Sequence, residues 1–155
     1  MDYIPTVQYR RILDCVPIAC VDVAIVDRGA VLLVKRCDPP VRGQWWVPGG
    51  RVRKGEMMRE TAARKAWEEV GLRCHVGPII HTAETIFADG PGGIPVHSIN
   101  SCFFLYPVDA GAAPRIDRHH AAFRWARRIP AGLHPYVERC LLAAGLARGR
   151  GKTRK

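Results

Sequence analysis

One stretch of 24 residues, GGRVRKGEMMRETAARKAWEEVGL at positions 49–72, constrains the fold of this chain more than any other. It begins with paired glycines, and its apolar residues then recur at the spacing of one helix face. The predicted inward face comprises Ala62, Ala63, Ala66, Trp67 and Val70. Gly71 follows the last of them, and glycine is favoured there because it adopts the left-handed conformation at low cost. The stretch therefore predicts a loop, a helix from Met57 to Val70 and a sharp stop.

The charges of this stretch are paired at helical spacing. Arg64 lies four residues before Glu68, and Lys65 lies four residues before Glu69, so each pair can meet on the helix surface. Glu56 stands at the helix start, near backbone amides that lack intrahelical partners. Taken alone, the pattern is explained by an exposed helix with ion pairs along its sides.

The rest of the sequence predicts one α/β domain, because 155 residues suit a single core. A short helix is expected at PTVQYRRIL, and the turn DRG joins two strands at VPIACVDVAIV and AVLLVKR. Further strands are predicted at CHVGPIIHTAETIFA, HSINSCFFLYPV and AAFRWARRI, while DPPVRGQWWVPGG reads as a loop. The segment YVERCLLAAGL predicts a last helix with Val137, Leu141 and Ala144 facing inward. Strands interleaved with helices favour a layered domain with a mixed sheet.

Residues 1–146 are predicted to form this domain, and residues 147–155 a disordered basic tail. The net charge is +10, and the last eight residues, RGRGKTRK, carry five basic residues and no acid. Such a tail can contact nucleic acid or an anionic surface, although a solvated tail is the simpler interpretation. We expect no nucleic-acid binding elsewhere in the chain. No apolar run reaches the roughly 20 residues of a membrane span, so a cytoplasmic location without a membrane partner is expected.

The six cysteines predict neither a disulfide framework nor a zinc site. No two of them are separated by two residues, the spacing that zinc sites usually need. Most lie in apolar runs, where cysteine behaves as a small buried hydrophobic residue. We expect reduced, structural cysteines.

The spacing of the opening stretch resembles the Nudix box. That pattern is a glycine, five residues, a glutamate, seven residues, RE, an aliphatic residue, any residue, EE, any residue, a glycine and an aliphatic residue. The matching positions are Gly50, Glu56, Arg64, Glu68, Glu69, Gly71 and Leu72, with Ala66 in the first aliphatic position. The resemblance implies an α/β/α sandwich and hydrolysis of a nucleoside diphosphate linked to another group.

The resemblance also implies Mg²⁺ as cofactor, with Mn²⁺ as an alternative. Carboxylates and backbone carbonyls are the oxygen ligands that such ions take, and the ion would offset the charge of a diphosphate. The implied metal ligands are the Gly49 carbonyl, Glu68 and Glu69. Lys65 departs from the family pattern, which has a glutamate here, and an ammonium has no lone pair for a metal. This departure predicts fewer metals, or a base taken from elsewhere.

The segments VKRCDPPVRGQWWVPGGRV and IDRHHAAFRW resemble the GDP-mannose mannosyl hydrolase branch of the family. That branch cleaves the bond between sugar C1 and oxygen with inversion, releasing GDP and mannose. Its base is a histidine in a loop before a strand, which corresponds to His120. The match implies that Asp22, Arg36 and Arg51 contact the substrate, and that Arg36 and Arg64 stabilise the diphosphate during the reaction.

Two departures separate the chain from that branch. It has His119 where the branch has a glutamine metal ligand, and it keeps Glu68, which the branch lacks. An ordinary histidine titrates near pH 6.5, which suits water activation, and His97 after the loop DGPGGIP is a rival base. Trp45 and Trp46 are candidates for stacking on a nucleobase, and we expect one of them to lie in the core.

Three functions remain open from the sequence. The first is a nucleotide-sugar hydrolase of the GDP-mannose type, and the second is an ordinary Nudix pyrophosphohydrolase with Glu68 or a loop acid as base. The third is a binding or regulatory protein of the same fold, in which Lys65 marks lost catalysis. A small nucleotide is the expected partner. Oligomeric state is left open, with a homodimer as one alternative.

Overall fold

The computed structural model describes residues 4–149, which contain three α-helices and seven strands. The helices are α1 (Thr6–Cys15), α2 (Met58–Val70) and α3 (Pro135–Ala143). The strands are β1 (Ile18–Asp27), β2 (Ala30–Arg36), β3 (Trp45–Trp46), β4 (Gly49–Arg51), β5 (Cys74–Phe87), β6 (Val96–Pro107) and β7 (His120–Ala126). Each predicted helix and strand is present. The short strands β3 and β4 were missed, because their prolines and glycines read as a loop.

The sheet is organised around β1. This strand runs parallel to β6 over eight residue pairs and antiparallel to β2 and β4. The remaining pairs, β5 with β6, β2 with β3 and β2 with β7, are also antiparallel. A single parallel pair among antiparallel ones makes the sheet mixed, as predicted.

Both faces of the sheet are covered by helices. Val21, Val23 and Ile25 of β1 are fully buried in the core beneath α2. Ala24, which points the other way along the same strand, belongs to the core that includes α3. Since each layer buries its own cluster against one sheet, the predicted Nudix α/β/α sandwich is confirmed.

The box helix buries a narrower face than the sequence predicts. Ala62, Ala66 and Val70 are fully buried, whereas Ala63 is exposed and Trp67 is 52% exposed. At about 100° per residue, Ala63 and Trp67 lie on one side of the buried face of α2, and Glu69 lies on the other side. The buried face is therefore shifted toward Glu69. The predicted inward positions of Ala63 and Trp67 were therefore wrong. Gly71 ends the helix in the left-handed conformation, with φ of 66°, as predicted.

Helix α3 begins at Pro135, whose missing N–H costs nothing at the first helical position. His134 precedes it, and its Nδ1 accepts a hydrogen bond from the Tyr136 backbone N–H at 3.1 Å. Val137 and Leu141 are fully buried, as the helical spacing predicts. The helix is thereby held on the sheet by one continuous face.

The first residues of the predicted tail are bonded to the domain. Arg148 pairs with Ile129 in an isolated bridge, and its guanidinium lies 2.8 Å from Glu138 Oε1. Arg148 thus contacts both α3 and the segment after β7, and the predicted boundary at 146 stays a prediction. Residues 150–155 lie outside the described residues.

All six cysteines are free thiols; Cys102 and Cys140 are buried, whereas Cys15 is exposed and the other three are partly exposed. That they are reduced in solution stays a prediction. Among residues 4–149, no helix has the length and apolar character needed to cross a membrane. The cytoplasmic location stays a prediction.

Candidate active site

A cavity of about 570 Å³ opens where β1, β4 and the start of β6 meet the last turn of α2. Its size suits a small-molecule ligand. Seven predicted site residues line it: Asp22, Arg36, Gly49, Gly50, Arg51, Glu69 and His120. The fold thus collects in one place side chains that are up to 98 positions apart in the sequence.

Glu69 is the central acid of the cavity. Its side chain comes from the last turn of α2 and is almost completely buried. Oε2 accepts the backbone N–H of Gly49 at 3.0 Å, and Oε1 lies 2.6 Å from Lys65 Nζ. Both carboxylate oxygens are therefore engaged by the protein itself.

His120 lies at the start of β7 with its side chain 3% exposed. Its Nδ1 is 2.7 Å from Asp117 Oδ1, and a carboxylate at this position favours the tautomer with the proton on Nδ1. The Nε2 lone pair is then available, since the nearest acid, Glu69 Oε2, is 3.7 Å away and accepts no bond from it. Asp117 was not predicted, although an acid three residues before a histidine in IDRHH was its signal.

Asp22 lies on β1 and is buried beneath the cavity. Burial raises the pKa of its carboxyl to about 7, and the nearby charge of Glu69 acts in the same direction. The hydroxyl of Tyr136, from α3, donates to Asp22 Oδ2 at 2.6 Å and opposes that rise. Sequence reasoning missed Tyr136, which reads there only as the first residue of an amphipathic helix.

The paired glycines let two side chains approach the backbone of β4. A Cβ on Gly49 would overlap Asp22 Oδ1 and would lie 2.6 Å from the Val21 carbonyl oxygen. A Cβ on Gly50 would lie 2.8 Å from Lys65 Cε. Any larger residue at Gly49 must displace the backbone, because the overlapping atoms belong to the buried strand β1.

Arg36 and Arg51 bring positive charge to the cavity. Arg36 ends β2, next to a bulge that sets it opposite His120, and its Nε donates to the Pro40 carbonyl at 3.0 Å. The Arg51 guanidinium lies 5.0 Å from the ring centre of Tyr9 in α1, a cation–π distance. Arginines in such positions suit phosphate oxygens, which accept two parallel hydrogen bonds.

Arg64 does not line this cavity. Its Nε and Nη2 lie 2.7 and 2.8 Å from the two carboxylate oxygens of Glu56, and its Nη1 lies 3.0 Å from Glu68 Oε2. These bonds hold the pKa of Glu56 at about 2, chiefly because Arg64 donates to it. Nη2 also donates to the Arg51 carbonyl at 3.2 Å, so Arg64 fixes the strand that carries Arg51.

A row of uncharged polar groups crosses the cavity floor. The hydroxyls of Thr85 and Ser98 are 2.8 Å apart, and Asn100 Nδ2 donates to Thr85 Oγ1 at 3.0 Å. All three side chains are buried and line the cavity. The sequence carried a signal for the last two, because alternation along β6 places them on one face.

The other two candidate histidines occupy different places. His119 lines the cavity, and its Nδ1 lies 2.6 Å from Asp38 Oδ2 in the loop after β2. His97 does not line it, because it alternates with the cavity-facing Ser98 along β6, and its Nε2 is 3.5 Å from Glu84. The geometry therefore favours His120 over His97 as a base.

One of the two adjacent tryptophans belongs to the core, as predicted. Trp46 is buried, and its ring centre is 5.9 Å from that of Tyr136 in a stacked arrangement. It also lines the cavity. Trp45 is partly exposed and carries the Arg124 guanidinium 4.3 Å from its ring centre.

The family follows from a match that includes both the box helix and His120. The model of the NUDIX domain matches residues 17–134. The chain belongs to the Nudix family. Together with the solved structures of the same fold, this match identifies the protein as a Nudix hydrolase.

Individual relatives of this Nudix hydrolase differ in their described roles. It is similar to the low-salt glycan biosynthesis protein Agl8 of Haloferax volcanii, with 34% identity over 89% of this chain and 88% of the relative. It is 39% identical to an RNA pyrophosphohydrolase of Cereibacter sphaeroides over 34% of this chain and 33% of that protein. The crystal structure of a MutT Nudix hydrolase from Burkholderia pseudomallei matches with a TM-score of 0.70 and 25% identity, covering 83% of this chain and 98% of that one.

Nudix hydrolases generally use a divalent metal such as Mg²⁺, but the acids of this site are not arranged to hold one. Within residues 4–149, no group of three or more His, Cys, Asp or Glu side chains has the geometry of a metal site. Of the predicted ligands, Glu69 is bonded to Lys65 and Gly49, and Glu68 is turned toward Arg53 and Arg64. The donor set as arranged does not fit a resident divalent ion.

Proposed function

We propose that this Nudix hydrolase cleaves a nucleoside-diphosphate sugar at the bond between sugar C1 and the β-phosphate oxygen, with GDP-mannose as the first substrate to test. The observation that carries the proposal is His120. Its Nδ1 is held by Asp117, and its free Nε2 faces a cavity that also contains Arg36 and Arg51. A buried base beside two phosphate-binding cations suits hydrolysis of an anionic substrate.

In this reaction His120 Nε2 takes a proton from a water molecule, and the water oxygen forms a bond to sugar C1. The electron pair of the breaking C1–O bond goes to the β-phosphate oxygen, so the products are free sugar and nucleoside diphosphate. Attack opposite the leaving group inverts the configuration at C1. Asp117 stabilises the imidazolium that forms, as carboxylates paired with catalytic histidines do. A general base of this kind contributes roughly 10²–10⁴ in rate.

The remaining cavity residues bind and orient the substrate. Arg36 and Arg51 contact the diphosphate oxygens and stabilise the charge that develops on the leaving group. Asp22 contacts a sugar hydroxyl from the buried side of the cavity, where Tyr136 holds its carboxyl in place. Arg64 acts through its bond to the Arg51 carbonyl and through Glu56, as a positioning residue.

The relative Agl8 adds support of a different kind. Its description as a glycan biosynthesis protein is compatible with a nucleotide-sugar substrate, and the similarity extends over most of both chains. The choice of GDP-mannose rests on the segments around Arg36 and His120.

Cleavage of a phosphoanhydride bond is the second candidate. It is favoured by the similarity to an RNA pyrophosphohydrolase and by the intact network of Glu56, Arg64 and Glu68 in the box. Water would then attack phosphorus, and the products would be nucleoside monophosphate and sugar phosphate. The two candidates differ in the atom that receives the water oxygen.

The test is hydrolysis of a nucleotide-sugar panel in ¹⁸O-labelled water, with the products identified by mass spectrometry. We expect label in the free sugar and none in phosphate. His120→Gln should lower kcat by roughly 10²–10⁴, whereas the exposed His75→Gln should leave it unchanged. Label in a phosphate would select the second candidate, and an unaffected His120→Gln would remove His120 from the reaction.

A further inference from the structure

Lys65 lies between the two carboxylates that the family pattern assigns to metal binding. Its Nζ is 2.6 Å from Glu69 Oε1 and 3.7 Å from Glu68 Oε2. The side chain is only 15% exposed, so this is not a surface lysine that touches an acid in passing. The Lys65 ammonium therefore lies within ion-pair distance of both Glu68 and Glu69.

The backbone of β4 packs closely against the Lys65 side chain. Gly50 packs against the side chain so closely that a Cβ there would lie 2.8 Å from Lys65 Cε and 3.2 Å from Nζ. Gly50 belongs to β4, which is fixed by pairing with β1. The lysine therefore lies in a slot between a strand and the helix that carries it.

This arrangement conflicts with a divalent ion at the same acids. A metal bound to Glu69 would share Oε1 with the ammonium, or would replace it and leave the buried charge of Lys65 without a partner. Like charges at such separations repel strongly when they are partly buried. The other oxygen, Oε2, already accepts the Gly49 N–H.

We propose that Lys65 takes the cation position of the box, so that the protein without nucleotide binds no divalent metal at Glu68 and Glu69. The fixed ammonium holds the Glu69 carboxylate against Gly49 and offsets its charge. Lys65 is thus a positioning residue, and it makes the cavity more favourable to an anionic diphosphate. The inference applies whichever bond of the nucleotide is cleaved.

The test is direct measurement of Mn²⁺ binding to the nucleotide-free protein by electron paramagnetic resonance, in which bound Mn²⁺ loses the signal of the free ion. We expect no loss of signal with wild-type protein at sub-millimolar Mn²⁺. In Lys65→Glu the ammonium is replaced by a third carboxylate beside Glu68 and Glu69, and affinity should rise at least tenfold. Arg139→Glu on the exposed side of α3 makes the same change in net charge and should behave as wild type.

Each outcome decides the matter. Wild-type protein that binds Mn²⁺ as tightly as Lys65→Glu would overturn the proposal, because the lysine would then exclude nothing. Failure of both proteins to bind would overturn it too, since another feature would be keeping the metal out. Lys65→Gln, which removes the charge at similar length, should bind Mn²⁺ more tightly than wild type, and it replaces Lys65→Glu if that variant does not fold.

A second readout separates this inference from the proposed function. Hydrolysis measured after chelation should keep a larger share of its rate in wild-type protein than in Lys65→Glu, whatever the products are. Because Mn²⁺ binding is measured without nucleotide, failure of the sugar-hydrolase proposal leaves the metal result unchanged. Failure of the metal result, in turn, leaves the ¹⁸O experiment unchanged.

Discussion

The hydrogen bond between Tyr136 and Asp22 joins α3 to the candidate active site, and Tyr136→Phe removes it with little change in packing. The phenylalanine ring keeps the stacked contact with Trp46, while Asp22 Oδ2 loses a donor at 2.6 Å. Both residues are buried, and Tyr136 is the one protein donor that the described residues give to this oxygen. The change therefore isolates one bond.

The size of the effect depends on pH, because the pKa of Asp22 is raised to about 7 by burial. A carboxyl whose pKa is raised by folding contributes most to the free energy of unfolding at low pH. This contribution is lost as the pH rises through about 7. Tyr136 reduces that loss, since its hydroxyl favours the ionised carboxylate. Removing it should cost about 1 kcal/mol at pH 5, where the acceptor is neutral, and about 2–3 kcal/mol at pH 8, where it is charged.

Thermal unfolding followed by circular dichroism at pH 5 and pH 8 measures this difference. For a chain of this length, each kcal/mol lowers Tm by roughly 2–4 °C, so the drop should be about 2–4 °C at pH 5 and roughly 4–12 °C at pH 8. Tyr106→Phe is the matched control, since Tyr106, near the end of β6, is 48% exposed, and it should change Tm little. An equal drop at both pH values, or a larger one at pH 5, would refute the assignment of the bond to an ionising Asp22.

Two further predictions concern the box. Glu56→Gln should lower the free energy of unfolding by about 1–3 kcal/mol at pH 7, because Arg64 loses a charged acceptor, and this cost should shrink as the pH falls from about 4.5 toward 2. Urea unfolding across that pH range checks both expectations, and a pH-independent cost would count against the ion pair. Gly49→Ala should lower kcat/KM by about 10²-fold, because the added Cβ displaces Asp22. Steady-state kinetics together with a thermal melt checks this, and normal turnover would show that β4 shifts to make room for the Cβ.

Periodicity and turn residues were sufficient to predict the order of the three helices and the five longer strands, whereas β3 and β4 were missed. The spacing of Ala62, Ala66 and Val70 marked the buried face of α2, and Gly71 marked its end, because both depend on neighbours within one helix. The positions of Ala63 and Trp67 were wrong, since the width of the buried face depends on how α2 sits on the sheet. That contact is set by residues far away in the sequence.

For the candidate site as well, contacts within one helix were predicted, whereas contacts between distant segments were missed. Arg64 and Glu68 were paired correctly, because they are one helical turn apart. The partners of Asp22 and His120 were missed, since Tyr136 is 114 residues from Asp22, and the spacing between Asp117 and His120 does not by itself show that their side chains meet. The motif resemblance predicts that Arg64 acts on the diphosphate; in the structure Arg64 bonds to Glu56 and to the Arg51 carbonyl and does not line the cavity, so that role stays a prediction.

Successive side chains of β1 point to opposite faces of the sheet, and this alternation links the two cores at the candidate site. Val21 and Val23 anchor the strand in one core, while Asp22 between them is bonded to the helix of the other core. Separation of α3 from the sheet would therefore break a hydrogen bond at the candidate site, which couples Asp22 to the packing of the α3 core. Asp38 and His119, which also line the cavity, differ from these residues in having side chains that are 51% and 53% exposed. The buried side of the candidate site is thus part of the domain core, whereas its exposed side is formed by side chains outside that core.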